Sequence, residues 1–180
     1  MSIRGVHIHM PNKYSHYLLQ LFEGVDIIKY VWQVCSDFNL ITDGIKFCDT
    51  SFFGTEREFV PAHGSMPDYY IERGLKEIVT GSEFFSAISG DEYLVISLDM
   101  RAFPTRDEAI QALDADIYSY ESYQNSSCQI VLLCVDTCSY DIYCKDIEIV
   151  NKIFANSQKI AGAEPRIITD ENDTRKGLSA

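Results

Sequence analysis

Cys128–Thr169 reads CQIVLLCVDTCSYDIYCKDIEIVNKIFANSQKIAGAEPRIIT, and its first half decides the fold. Ile130, Val131, Leu132, Leu133 and Val135 form a nearly unbroken apolar run. It is too short for a typical helix and is rich in β-branched residues, which predicts a strand buried on both faces. Five such side chains supply roughly 8–15 kcal/mol of gross burial, at ~1.5–3 kcal/mol each. Ordering the backbone costs ~1–2 kcal/mol per residue, so the strand needs neighbours on both sides. A second extended stretch, Ser139–Cys144, follows almost at once, and so short a link permits only an antiparallel hairpin. Asp146 offers a carboxylate oxygen to the free amides of a helix. Ile147, Val150, Ile153, Phe154 and Ala161 recur at helical spacing behind it. Gly162 suits a left-handed helix end, Pro165 forbids continuation, and Arg166–Thr169 returns to strand. The unit is β-β-α-β.

Working outward, the remaining chain fits one α+β domain, residues 1–180, with a mainly antiparallel sheet and helices packed on it. At 180 residues and 46% hydrophobic content the chain can bury a full core. Ile3–Met10 alternates, with Val6, Ile8 and Met10 on one side and His7 and His9 on the other, predicting a half-buried or edge strand. Asn12 can cap a helix running to Glu23, closed by Gly24. Ile27–Cys35 favours strand. Leu40-Ile41 and Ile45–Cys48 flank Asp43-Gly44, a hairpin signal. The segment 49–68 loses all periodicity and reads as a long surface loop, a length common in functional loops. Leu75, Ile78 and Val79 suggest a short helix ending near Gly81, and Ser82 starts another through Ile88. Tyr93–Phe103 reads as a second central strand. Thr105 caps one helix carrying Ile110, Leu113, Ile117 and Tyr120 on its inner face. Residues 170–180, DENDTRKGLSA, read as a loosely held polar tail.

The formal net charge of −12 repels phosphate backbones and anionic membranes, and attracts basic proteins. No stretch reaches the ~20 apolar residues of a membrane span, and no signal-peptide pattern opens the chain. Six cysteines (Cys35, Cys48, Cys128, Cys134, Cys138, Cys144) contain no C-x-x-C pair, which fits reduced thiols in a cytoplasmic protein.

The stretches RGVHIHMPNKY (4–14), QIVLLCVDTCSYDIYCKD (129–146) and IITDENDTR (167–175) resemble a small Bacillus-type bacterial family defined as a domain of unknown function. The resemblance covers both chain ends and the central unit, but not 49–68. It implies a cytoplasmic bacterial protein and carries over no catalytic residue.

Several side-chain groupings bear on chemistry. His7-x-His9 places two imidazoles on one strand face, a spacing compatible with metal ligation, but the sequence places no third ligand unless His16 or His63 approaches. No metal or other cofactor is therefore expected. Asp136 and Asp141 flank a hairpin and read as turn residues rather than paired catalytic carboxylates. Cys138 lacks the basic setting of a reactive thiol. Asp170–Asp173 lacks the glycine and terminal glutamate of a calcium loop. No phosphate loop, nucleophile elbow or dinucleotide fingerprint is present. The remaining candidate is an acidic, tyrosine-bearing face: Asp107, Glu108, Asp114, Asp116, Tyr118, Glu121 and Tyr123. Carboxylates steer a basic partner and tyrosines supply contact area.

These features predict a non-enzymatic protein-binding domain, an immunity or inhibitor protein acting on a basic partner. The alternatives are a small metal-assisted hydrolase or ligand-binding domain built on His7 and His9 with the 49–68 loop, and a structural homo-oligomer joined at a strand edge.

Overall fold

The computed structural model describes residues 1–11, 17–34, 40–42, 78–89, 93–95, 98–112, 117–135 and 138–179. In chain order the strands are β1 (Ile3–His9), β2 (Val31–Val34), β3 (Leu40–Thr42), β4 (Ile78–Thr80), β5 (Tyr93–Val95), β6 (Leu98–Phe103), β7 (Ile130–Val135), β8 (Ser139–Cys144) and β9 (Glu164–Thr169). The helices are α1 (Tyr17–Leu21), α2 (Gly81–Ile88), α3 (Arg106–Gln111), α4 (Tyr120–Asn125) and α5 (Ile147–Ser157). Seven strands form one antiparallel sheet in the order β4-β2-β6-β7-β8-β1-β9, and β3 pairs with β5 in a second, two-stranded sheet. The chain is an α+β fold, as its pattern predicts.

The apolar run is β7, the middle strand of the seven. Ile130, Leu132 and Cys134 enter one core layer together with Val6, Ile8, Trp32, Leu18 and Phe84, and α5 adds Ile149, Val150 and Ile153. Val131 and Leu133 enter a second layer with Phe103, Tyr123, Tyr143, Ile168 and Leu178. Alternate side chains of a strand point to opposite faces, so a run without polar interruptions belongs where both faces are covered. The hairpin β7–β8 and the cap of α5 form as expected, with the Asp146 side chain accepting from the Glu148 amide. The buried stripe of α5 is rotated from the expected one: Ile147 is exposed and Ile149 is buried. After α5, Gly162 takes φ 79°, and β9 pairs with β1 at the sheet edge, where Pro165 is tolerated.

Other expectations are corrected. Of the two alternatives for β1, it is the half-buried strand and not the edge one, because β8 and β9 flank it. Of the described residues 27–34, Val31–Val34 is strand. Ile78–Thr80 is strand rather than helix, since pairing with β2 outweighs weak local preference. The described partner of β3 is β5, and 43–48 lie outside the described residues. Tyr93–Phe103 divides into β5 and β6, which belong to different sheets. The helix expected from Thr105 through Tyr120 is two. Thr105 caps α3, and a second cap at Ser119, reciprocated by Ser122, starts α4.

The tail is not loose. The Asp170 carboxylate accepts from the Ser2 amide at 2.7 Å, Leu178 is 2% exposed, and its amide donates to the Tyr118 carbonyl at 2.8 Å. Polarity there serves specific bonding rather than solvation. Asn12, the 49–68 loop and Asp136 lie outside the described residues. Among the described residues, no helix is long and apolar enough to cross a membrane.

Candidate functional site

Antiparallel register aligns three strands at one level. His7 of β1 stands opposite Asp141 of β8 and Arg166 of β9. Residues directly opposite share a sheet face with Cβ atoms ~4.5–5.5 Å apart, so the three form a row. One level along, Tyr143 and Ile168 flank Gly5. A Cβ on Gly5 would overlap the Ile142 carbonyl, so glycine is required where the strands approach. The last residues then turn back over this face. His7, Asp141, Tyr143, Arg166, Asn172, Asp173 and Arg175 are among the residues lining a cleft of ≈ 280 Å³.

Asp141 is the hub. Its Oδ1 lies 2.7 Å from Nδ1 of His7, and its Oδ2 accepts from Arg175 through Nε at 2.8 Å and Nη2 at 2.7 Å. Burial alone would raise the Asp141 pKa, but hydrogen bonds from His7 and Arg175 and the arginine charge hold it below the usual carboxylate range. Asp173 is a second hub. Its Oδ1 accepts from the Tyr143 hydroxyl at 3.1 Å and the Arg175 amide at 3.2 Å, and its Oδ2 from Arg4 at 3.0 Å. Burial, then the Asp173 and Asp141 charges, push the Tyr143 hydroxyl pKa up, keeping it a protonated donor. Arg4 also lies 4.2 Å from the centre of the Tyr120 ring. Asn172 braces the turn by accepting from the Thr169 amide and donating to the Ile167 carbonyl.

An ionised carboxylate only accepts hydrogen bonds, so Nδ1 of His7 carries a proton. In the neutral ring Nε2 then carries a lone pair. Arg166 is exposed and makes no ion pair among the described residues. With the ring neutral, the cleft sets a proton-accepting nitrogen beside a guanidinium.

His9 shares the His7 face but is exposed, and pairs in register with Ser139 and Glu164. His16 and His63 lie outside the described residues. Among the described residues no group of three or more His, Cys, Asp or Glu is placed to hold a metal ion. Cys128 and Cys144 are buried free thiols, Cys134 is buried, and Cys138 is half-buried.

Among the described residues the acidic, tyrosine-bearing face divides between two separately capped helices. Asp107 and Glu108 belong to α3, and Glu108 is engaged by the Thr105 hydroxyl at 2.7 Å. Glu121 belongs to α4, and exposed Tyr118 precedes it. Asp114 and Asp116 lie outside the described residues. Tyr123 is fully buried and its hydroxyl donates to the Gln129 carbonyl at 2.8 Å, so it cannot meet a partner. Its helix starts afresh at Ser119, which rotates it inward. Conversely, Asp141, Tyr143, Arg166, Asp173 and Arg175 were missed as a site. Asp141 and Tyr143 share the parity of one face of β8, which marks them as neighbours. The fold-back of Arg175 leaves no sequence signal.

The protein family of unknown function DUF2691 matches residues 68–179. The uncharacterized protein YncE of Bacillus subtilis (strain 168) is 30% identical over 176 residues, covering 98% of each chain. No solved structure matches. With more than half of its length matched and a full-length Bacillus relative, as the resemblance in its motifs implied, the chain belongs to the DUF2691 family.

Proposed function

We propose that the protein is a small-ligand-binding domain, and that its cleft seats the anionic end of a small molecule between His7 and Arg166. One observation carries this reading. In a chain of net charge −12, the exposed guanidinium of Arg166 stands in register beside His7 without an ion-pair partner among the described residues. Arg175 is committed to Asp141, which leaves Arg166 as the cleft's open cation. At ≈ 280 Å³ the cleft lies at the small end of ligand pockets, typically ~300–1,000 Å³. Calorimetric titration with acetate, citrate, phosphate and sulfate tests it. At least one anion binds, and Arg166→Ala weakens that binding about tenfold or more while leaving the melting temperature unchanged. Binding by none of the four, or equal binding by Arg166→Ala, refutes the reading.

A second reading, an immunity or inhibitor protein for a basic partner, is favoured by the net charge and by exposed Asp107, Tyr118 and Glu121. A pull-down that retains a basic protein at low salt and sheds it at high salt supports this reading, whereas no partner at either salt counts against it. The free cysteines suit a reducing cytoplasm under either reading.

A further inference from the structure

Resting on the anion-binding reading of the same cleft, we infer that its ligand is a tetrahedral oxyanion that carries a proton, hydrogen phosphate or a phosphate monoester, whose P–OH donates to Nε2 of His7 while Arg166 binds an anionic oxygen. The geometry sets the polarity of each contact. Asp141 receives two arginine nitrogens on Oδ2 and His7 on Oδ1, so Nδ1 of His7 carries a proton and, in the neutral ring, the lone pair is on Nε2. Arg166, opposite His7 on β9, only donates. The charged and titratable groups around His7 among the described residues are Asp141 and Tyr143 on β8, Arg166 on β9, His9 along its own strand, and Asp173 and Arg175 from the C-terminal segment. Among the described residues the one hydrogen bond of the His7 ring is that of Nδ1 to Asp141, which leaves Nε2 open to a proton carried by the ligand.

One acceptor beside one multivalent donor complements a group with O–H and O⁻ on the same centre. A carboxylate at neutral pH has no O–H, and neither has sulfate. Hydrogen phosphate has both and matches sulfate in size and charge near pH 8. Facing a lone pair, a sulfate oxygen meets repulsion where hydrogen phosphate makes a bond. Sites built to pair a ligand proton reject the analogue lacking it strongly. A monoester dianion has lost that proton at such a pH, with its second pKa at ~6, and must take one up to bind.

The test is calorimetric titration of the intact protein with inorganic phosphate and with sulfate at about pH 8, where an ordinary imidazole is neutral. Phosphate binds at least about tenfold more tightly than sulfate. Glycerol 3-phosphate, titrated in buffers of different ionisation enthalpy, binds with uptake of about one proton, and inorganic phosphate with none. His7→Phe abolishes the preference for phosphate over sulfate while leaving residual binding through Arg166. Equal or tighter binding of sulfate, or monoester binding without proton uptake, overturns the inference but leaves anion binding standing. Binding of a carboxylate with no binding of phosphate does the same. Failure of every anion overturns both. The comparison on the unmodified protein needs no variant, so a poorly folded His7→Phe does not rescue the idea.

Discussion

Leu178→Ala tests whether the C-terminal segment is part of the fold and a wall of the cleft. Leu178 is 2% exposed and packs in the layer containing Ile117, Tyr123, Val131 and Tyr143. Truncating a buried leucine costs ~2–5 kcal/mol. Because the residue lies next to the chain end, the segment can peel away instead of holding a cavity, so about 2–3 kcal/mol is expected. At ~2–4 °C per kcal/mol for a chain of this size, the melting temperature falls by about 4–12 °C. Scanning calorimetry measures it, and Val135→Ala, at a side chain 37% exposed, is the control, with a change within ~0.5 kcal/mol. Hydrogen exchange adds a local readout: the Leu178 amide, bonded to the Tyr118 carbonyl, is protected in the parent and exchanges faster in the variant. Asn172, Asp173 and Arg175 line the cleft, so anion binding weakens in parallel. A melting-temperature change no larger than that of Val135→Ala, with an unprotected Leu178 amide, refutes the anchored segment.

The other predictions concern charge, backbone and thiols. The Asp141 pKa is lowered on folding, so its contribution to stability is present above the unfolded value of ~3.9 and is lost as pH falls through the lower folded value. Asp141→Asn therefore flattens the acid limb of a urea-denaturation pH series and costs roughly 1–2 kcal/mol near neutrality; an unchanged acid limb counts against the Asp141 hub. Gly5→Ala drives a Cβ into the Ile142 carbonyl and destabilises the protein by about 3 kcal/mol, measured by urea midpoint; a neutral outcome means β1 and β8 are not so closely apposed. Burial pushes the Cys128 thiol up to about 12, so its contribution to stability is present below the ordinary thiol value of ~8.5 and is lost as pH rises through the folded value. With Cys35 and Cys48 replaced by serine, a thiol reagent labels Cys138 first and reaches Cys128 and Cys144 only on unfolding; fast labelling after Cys138→Ser contradicts the burial.

Local pattern alone determined the middle of this protein. An uninterrupted aliphatic run at Ile130–Val135, a link too short for any crossover and a capping aspartate are short-range signals, and β7, β8 and the start of α5 follow them, whereas α5 ends at Ser157, before the glycine at Gly162. Cap chemistry also marked Thr105, but the second cap at Ser119 was hidden by a helical period that continued through it. Ile78–Thr80 is strand only because β2 is beside it. Strand order and register belong to tertiary structure, because which strands become neighbours depends on the whole packed sheet rather than on any one segment. The cleft is a product of that register: His7 is separated from Asp141 and Arg166 by most of the chain and meets them only because β8, β1 and β9 align, and Arg175 joins them because buried Leu178 holds the polar end of the chain back on the sheet.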